Sequence, residues 1–307
     1  MHGPLYDATL DAFVDECRRF NTRLAALSTA PVDLHTPEGL AHARDLANIA
    51  GGVFATRAHD DKAEVRTVPG RAGAIPIRVL VPPMPRALYL DLHGGGFFMG
   101  DARMNDALNW RIAEAAGAVT VAVDYRLEHP YPAAPDDCEA VARWVIEHAQ
   151  AEWGVDRFLI GGGSAGGNLV AVTLLRLRDR HGITGKFAGA NLLFGVYDLR
   201  GTASQIRLGQ TGFRDLYVPD VPIGERIDPD ISPMYADLRD MPPALFTVGT
   251  LDYLYDDSLL FATRWWAAGN ETELAVYPEC PHGFTVFPTT MAKVASQRIV
   301  DWLAART

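Results

Sequence analysis

The chain predicts an α/β protein, a mostly parallel central sheet flanked by helices, and three observations carry that expectation. Apolar runs near 87–92, 119–124, 157–161, 187–194, 244–249 and 273–277 alternate with helical stretches near 104–116, 136–150, 165–181, 256–268 and 290–305. Glycine clusters directly follow two of those runs, at Gly94-Gly95-Gly96 and around Ser164, where a strand must turn sharply. Finally, 307 residues of which 48% are hydrophobic suffice for one large domain with insertions. No internal repeat, low-complexity tract or long linker interrupts the pattern.

Residues 1–55 precede the alternation and read as a separate helical segment, an N-terminal cap on a main domain spanning 56–307. Leu10, Phe13, Val14, Cys17, Leu24 and Leu27 recur at helical spacing, and Thr36-Pro37-Glu38 is a helix-start signature. Between 65 and 82, Val/Ile-rich pieces around Gly70 and Gly73 predict an antiparallel hairpin leading into the sheet. The stretch 199–230 breaks the alternation again. Its glycines, prolines and the apolar Phe213, Leu216 and Tyr217 predict a lid or binding loop that joins the N-terminal helices over a pocket.

The chemistry resides in the two glycine clusters. Gly162-Gly163-Ser164-Ala165-Gly166 matches G-x-S-x-G, a tight strand-to-helix turn that holds a serine hydroxyl in a strained, exposed position. Ser164 is therefore the candidate nucleophile. Gly161, Gly163 and Gly166 also satisfy the dinucleotide fingerprint G-x-G-x-x-G, which requires an acid roughly 20 positions on at the end of the next strand. Lys186, Phe187, Ala188 and Gly189 occupy that strand and the nearest acid, Asp179, lies within the helix, so the requirement fails. Upstream, His93-Gly94-Gly95-Gly96 precedes the elbow by about 70 residues, and such a loop supplies backbone N–H groups to a developing oxyanion. Gly95, Gly96 and Ala165 are the expected donors.

In this architecture the order is nucleophile, acid, histidine. Of the two histidines after Ser164, His181 ends the helix that the elbow opens, about four turns away, and reads as a solvated helix-end residue. His282, in the loop Cys280-Pro281-His282-Gly283-Phe284, is the candidate base. Asp252 lies on the loop leaving the apolar run Ala244–Gly249 and is the candidate acid, whereas Asp256 and Asp257 read as charges favourable to a helix N-terminus. Phe97, Phe98, Met99, Phe213 and Phe284 are candidate pocket residues.

These residues carry a resemblance. The chain is similar to bacterial hormone-sensitive-lipase-like (family IV) esterases through His93–Phe97, Gly162–Gly167, Asp124-Tyr125-Arg126-Leu127 with Glu128–Ala133, Asp252–Asp256 and His282-Gly283-Phe284, over about residues 65–290. The resemblance implies the α/β-hydrolase fold with a helical cap, hydrolysis of short- to medium-chain carboxylic esters through an acyl-enzyme, no cofactor and no metal, and a homodimer. Three departures stand out. Gly163 replaces the usual acid before the nucleophile, the family's Ala-Pro is missing between Leu127 and Glu128, and Tyr253 stands where proline is frequent. The same triad also serves amide, lactone or carbamate cleavage, and a ligand-binding protein that has lost catalysis is a further alternative, set against the intact Ser164, Asp252 and His282.

A formal charge of −10 leaves no basic footprint for nucleic acid. No run of 18 apolar residues and no secretion signal is present, which predicts a cytoplasmic protein. Cys17, Cys138 and Cys280 are far apart in sequence and lack metal-ligand spacing, which predicts free thiols.

Overall fold

The computed structural model describes residues 7–26, 36, 38–39, 41, 62–127, 129–209 and 212–307. A 3₁₀ turn, Ala8–Phe13, is capped by the Asp7 carboxylate accepting from Thr9 N–H, and runs into helix α1 (Val14–Ala26). Most of 27–61, including Leu27 of the helical pattern, lies outside the described residues. The expected helix start is visible where Thr36 Oγ1 accepts from Gly39 N–H at 3.0 Å.

Strands β1 (Ala63–Gly70) and β2 (Gly73–Leu80) form the expected hairpin, with Arg71 and Ala72 at its turn. Six further strands follow: β3 (Ala87–Leu92), β4 (Ala118–Val123), β5 (Phe158–Gly163), β6 (Phe187–Leu193), β7 (Ala244–Gly249) and β8 (Thr272–Tyr277). They form one eight-stranded sheet in the order β1-β2-β4-β3-β5-β6-β7-β8, antiparallel through the first two pairings and parallel from β4 to β8. Every residue of β3, β4, β5 and β7 is buried, the pattern of strands covered by helices on both faces.

The covering helices are α2 (Asp106–Ala116), α3 (Ala133–Trp153), α4 (Ala165–His181), α7 (Tyr255–Ala267) and α8 (Thr290–Ala304). Glycines in the left-handed region end α2, α3 and α4, and Thr289 caps α8 by accepting from Ala292 N–H. Helix α3 begins at Ala133, three residues before the expected 136, directly after Pro132, whose fixed φ does not obstruct an entering helix. Between β7 and α7 an aromatic cluster forms from Tyr197, Phe246, Phe261 and Trp265, with ring centroids 4.1–6.3 Å apart. Each such buried ring stabilises the fold by about 2 kcal/mol.

The insertion after β6 contains two short helices, α5 (Ala203–Arg207) and α6 (Gly212–Tyr217), and a 3₁₀ turn at Ile223–Glu225. Its end is fastened by Asp230, which accepts from Arg176 Nε and Nη2 and from the Tyr131 hydroxyl; Arg176 also reaches Asp136 and Glu139. Helix α1 docks on the loop after β8 and the start of α8. Its Glu16 accepts from Thr290 N–H, while Arg18 and Asn21 donate to the Glu279 side chain and carbonyl. Among the described residues no helix is long and apolar enough to cross a membrane.

Candidate active site

Strand β5 ends in the turn to α4, and Ser164 occupies that turn at φ 57° and ψ −119°, a conformation few L-residues adopt. The surroundings over-determine it. Ser164 N–H donates to Leu193 O, and Ser164 O accepts from Gly167 and Val196 N–H. Gly166 lets the helix approach β3, because a Cβ there would lie 1.9 Å from Leu92 O.

His282 follows β8 on a loop beside Ser164, and Asp252 lies just past β7. The carboxylate accepts from His282 Nδ1 at 2.9 and 3.0 Å, which leaves Nε2 unprotonated and facing Ser164 Oγ at 3.0 Å. Asp252 is itself fixed by Leu254 N–H, 2.7 Å from Oδ1, and its side chain is wholly buried. A buried carboxylate, an oriented imidazole and a serine hydroxyl thus stand in one hydrogen-bonded row, contributed by three separate strand ends.

Facing Ser164, the loop after β3 turns through Gly95 at φ 117° and Gly96 at φ 63°. Side chains are excluded at Gly95, since a Cβ would meet Met99 O at 2.0 Å. The turn closes with Phe98 and Met99 N–H both donating to Gly95 O. Ala165 N–H is at the first position of α4, where no intrahelical acceptor exists and the helix dipole favours negative charge. His93 anchors the loop: its ring stacks on Tyr125 at 4.2 Å, and the Tyr125 hydroxyl donates to His93 O at 2.7 Å. Burial holds the His93 imidazole below the usual histidine range, so it is neutral and Nδ1 donates to Gly94 O. The segment matched by family resemblance at Tyr125-Arg126 therefore has a structural task. Tyr125 supports the glycine loop, and Arg126 grips Asp137 on α3 through Nε and Nη2, both at 2.8 Å.

The pocket candidates divide. Phe213 on the insertion reaches over the glycine loop, its Cβ 3.4 Å from where a Cβ on Gly96 would be, and Met99 is partly exposed beside it. Phe97 and Phe284 are instead packing residues: Phe97 stacks on Tyr217 at 3.7 Å, and Phe284 lies against Tyr277 and Phe194. Phe98 is buried beneath Gly96.

Several contributors escaped the sequence reading. Phe194 packs edge-on against His282 at 5.0 Å, and Tyr253 lies 4.5 Å from the same imidazole, so two rings flank the histidine. Phe194 also crowds Gly163, where a Cβ would come within 3.1 Å of its ring. Asp256 and Asp257 do lie in the first turn of α7, but the expectation of simple helix-end charges needs correction. Asp257 is fully buried and accepts from Tyr197 N–H, Asp198 N–H, the Thr202 hydroxyl and Gln205 Nε2, and Asp256 accepts from Ser204 N–H. Both carboxylates hold down the insertion. His181, read as solvated, is exposed yet paired with Glu139 at 2.6 Å. Cys17 and Cys280, distant in sequence, meet where α1 crosses the His282 loop, and burial pushes both thiols up.

Among the described residues no cluster of His, Cys, Asp or Glu could hold a metal ion. The model of a family described by its alpha/beta hydrolase fold matches residues 89–286. Carboxylesterase NlhH of Mycobacterium tuberculosis is 34% identical over 245 residues, covering 72% of this chain and 74% of its own length. The ethyl acetate hydrolase of Pseudomonas putida is 30% identical over 68% of this chain and 71% of its own. Among solved structures, a thermostable esterase from Pseudomonas putida superposes with a TM-score of 0.84 at 26% identity, covering 96% of this chain and 97% of that one. The chain belongs to the α/β-hydrolase family, as the motifs lead one to expect.

Proposed function

We propose that the chain is a serine carboxylesterase whose nucleophile is Ser164, whose base is His282 and whose orienting acid is Asp252. The observation that carries this reading is the continuous row Asp252–His282–Ser164 at 2.9 and 3.0 Å facing the glycine loop. His282 Nε2 takes the hydroxyl proton as Ser164 Oγ attacks the ester carbonyl, and Asp252 stabilises the imidazolium. The N–H groups of Gly95, Gly96 and Ala165 receive the oxyanion. The imidazolium then protonates the leaving alkoxide, and water activated by His282 releases the acid. This sequence calls on no metal and no organic cofactor.

We read the acyl preference as short to medium, a choice that the named activity of the ethyl acetate hydrolase relative supports. We read 199–230 as a lid and the N-terminal helices as the rest of a cap. Buried free thiols at Cys17, Cys138 and Cys280 accord with a reducing, cytoplasmic setting. The outer edge of β8, paired only to β7, supports a homodimer.

The test is hydrolysis of p-nitrophenyl esters from acetate to laurate, with intact mass and peptide mapping after a serine-directed organophosphonate. Turnover best on short chains with one adduct on Ser164 is the expected result. An adduct without ester turnover would overturn the ester reading in favour of amide or lactone cleavage.

A further inference from the structure

Three consecutive residues of the loop after β3, Gly95, Gly96 and Phe97, have φ of 117°, 63° and 69°. Phe98 N–H donates to Gly95 O at 3.2 Å, so Gly96 and Phe97 are the two central residues of a turn. Positive φ at both is the mark of a type I′ turn, which suits glycine, asparagine and aspartate and strains a bulky side chain. Gly96 meets that demand. Phe97 does not, and its conformation persists only because its surroundings impose it.

Those surroundings come from the insertion. Helix α6 spans Gly212–Tyr217, and Phe213 and Tyr217, four residues apart, lie on one face of it. Tyr217 stacks its ring on that of Phe97, with centroids 3.7 Å apart and planes 8° from parallel. Phe213 lies against Gly96, its Cβ 3.4 Å from where a Cβ on that glycine would be. One helical face thus covers both central residues of the turn. Tyr217 is itself held by the main domain. Its carbonyl accepts from Tyr131 N–H at 2.9 Å, the Tyr131 ring meets it edge-on at 6.1 Å, and the Tyr131 hydroxyl donates to Asp230. None of these contacts involves Asp257, whose donors lie in 197–205. The Tyr217 hydroxyl is buried with no hydrogen-bond partner among the described residues, so the ring is what holds Phe97.

We propose that Tyr217 is a positioning residue for the oxyanion loop: its ring keeps Phe97 in the left-handed region, and with it the turn that sets the N–H groups of Gly95 and Gly96. Tyr217 touches no reacting atom. Without the ring, Phe97 relaxes toward negative φ, which rotates the peptide joining it to Gly96 and opens the hydrogen bond from Phe98 N–H to Gly95 O. The insertion thereby acts on kcat through the turn beneath α6.

This inference rests on the esterase reading, and the experiment separates the two. kcat and KM for p-nitrophenyl acetate are measured for wild type, Tyr217→Phe, Tyr217→Leu, Phe97→Gly and the double variant Phe97→Gly/Tyr217→Leu. kcat is counted per Ser164 labelled at completion by an organophosphonate, so that misfolded protein does not enter. Tyr217→Leu should lower kcat about 10-fold with KM within about 2-fold, a fraction of what losing a whole oxyanion donor does. Tyr217→Phe, which keeps the ring, should stay close to wild type. Glycine at 97 takes positive φ without steric strain, so in the Phe97→Gly background Tyr217→Leu should lower kcat by less than about 2-fold. Should Tyr217→Leu not fold, Tyr217→His, with its smaller flat ring, takes its place in the same comparison with a smaller loss expected. A residue that only packs would lower the thermal transition and leave kcat per labelled site unchanged, which would overturn the assignment. Equal kcat losses in the two backgrounds, or a Tyr217→Phe loss as large as that of Tyr217→Leu, would overturn it as well. Wild-type protein inactive on every ester would overturn the esterase reading and this assignment with it.

Discussion

The nucleophile end and the insertion above it are built by opposite means. Around Ser164 the chain relies on backbone and close approach: strand ends deliver the three triad residues, Gly95 and Gly166 admit contacts no side chain could, and the neighbours of the elbow are buried. The insertion relies on side-chain polarity instead. Asp257 gathers four donors from residues 197–205, Asp256 takes Ser204 N–H, and Asp230 binds Arg176 and Tyr131. The first construction is stiff because close-packed backbone has nowhere to relax. The second can be opened one hydrogen bond at a time, the property that the proposed lid requires.

Ser164→Ala breaks the comparison at its most demanding point. Activity should fall by about 10⁴-fold or more in kcat/KM, with a thermal transition close to wild type, since one hydroxyl is removed and no packing is lost. Residual activity near wild type would show that another nucleophile acts. Gly95→Ala should cost about 10²- to 10³-fold in kcat, because the new Cβ must displace Met99 O from 2.0 Å and turn the oxyanion donors away. KM should change much less. An equal rise in KM would mean that the glycine loop shapes binding rather than the oxyanion.

Asp257→Asn probes the polar construction. An amide in place of the carboxylate sets an NH₂ group against donors that all need an acceptor, so denaturant unfolding should show a loss of about 1–3 kcal/mol. Kinetically, KM should rise more than kcat falls, since Phe213, the proposed roof of the site, belongs to that insertion while the triad stays on its strands. A loss confined to kcat would join the insertion to the chemistry itself.

The same contrast explains what could be read in the sequence. The sheet, the hairpin and the helices were legible because apolar runs and glycine punctuation are local signals, and the positions of His93–Gly96, Ser164 and His282 after strands followed from them. Asp252 was separable from Asp256 because it is next to a strand end. Tyr253, Phe194 and Asp257 were not legible in their roles. Phe194 is an ordinary apolar residue until folding brings it against His282, and Asp257 looks like any acid in a first helical turn until residues 197–205 close on it. Phe97 and Phe284 erred the other way, since a loop neighbour of a catalytic motif can be buried in packing as easily as open to a ligand.

The smallest expected effect is also the sharpest discriminator. Asp91 lies within the scaffold, accepting from Asn105 and Asn109 Nδ2, and Asp257 lies beneath the insertion; burial pushes both carboxyls up to about 6 from the ordinary 3.8. Between those values the folded chain holds protons that the unfolded chain has released. Their contribution to stability is therefore fully present below 3.8 and is lost as pH rises through about 6. Replacing either by Asn should flatten the fall in stability over that window by up to about 1.4 kcal/mol per pH unit, read from denaturant midpoints at stepped pH. The two variants should then part company in kinetics. Asp91→Asn should leave KM near wild type across the window, because the Asp91 carboxylate accepts from Asn109 of α2 and its cap residue Asn105, not from the insertion. Asp257→Asn should raise KM at every pH, because its partners lie in the insertion that carries the proposed roof of the site. Equal KM changes in both would dissolve the distinction between a stiff floor and a releasable roof.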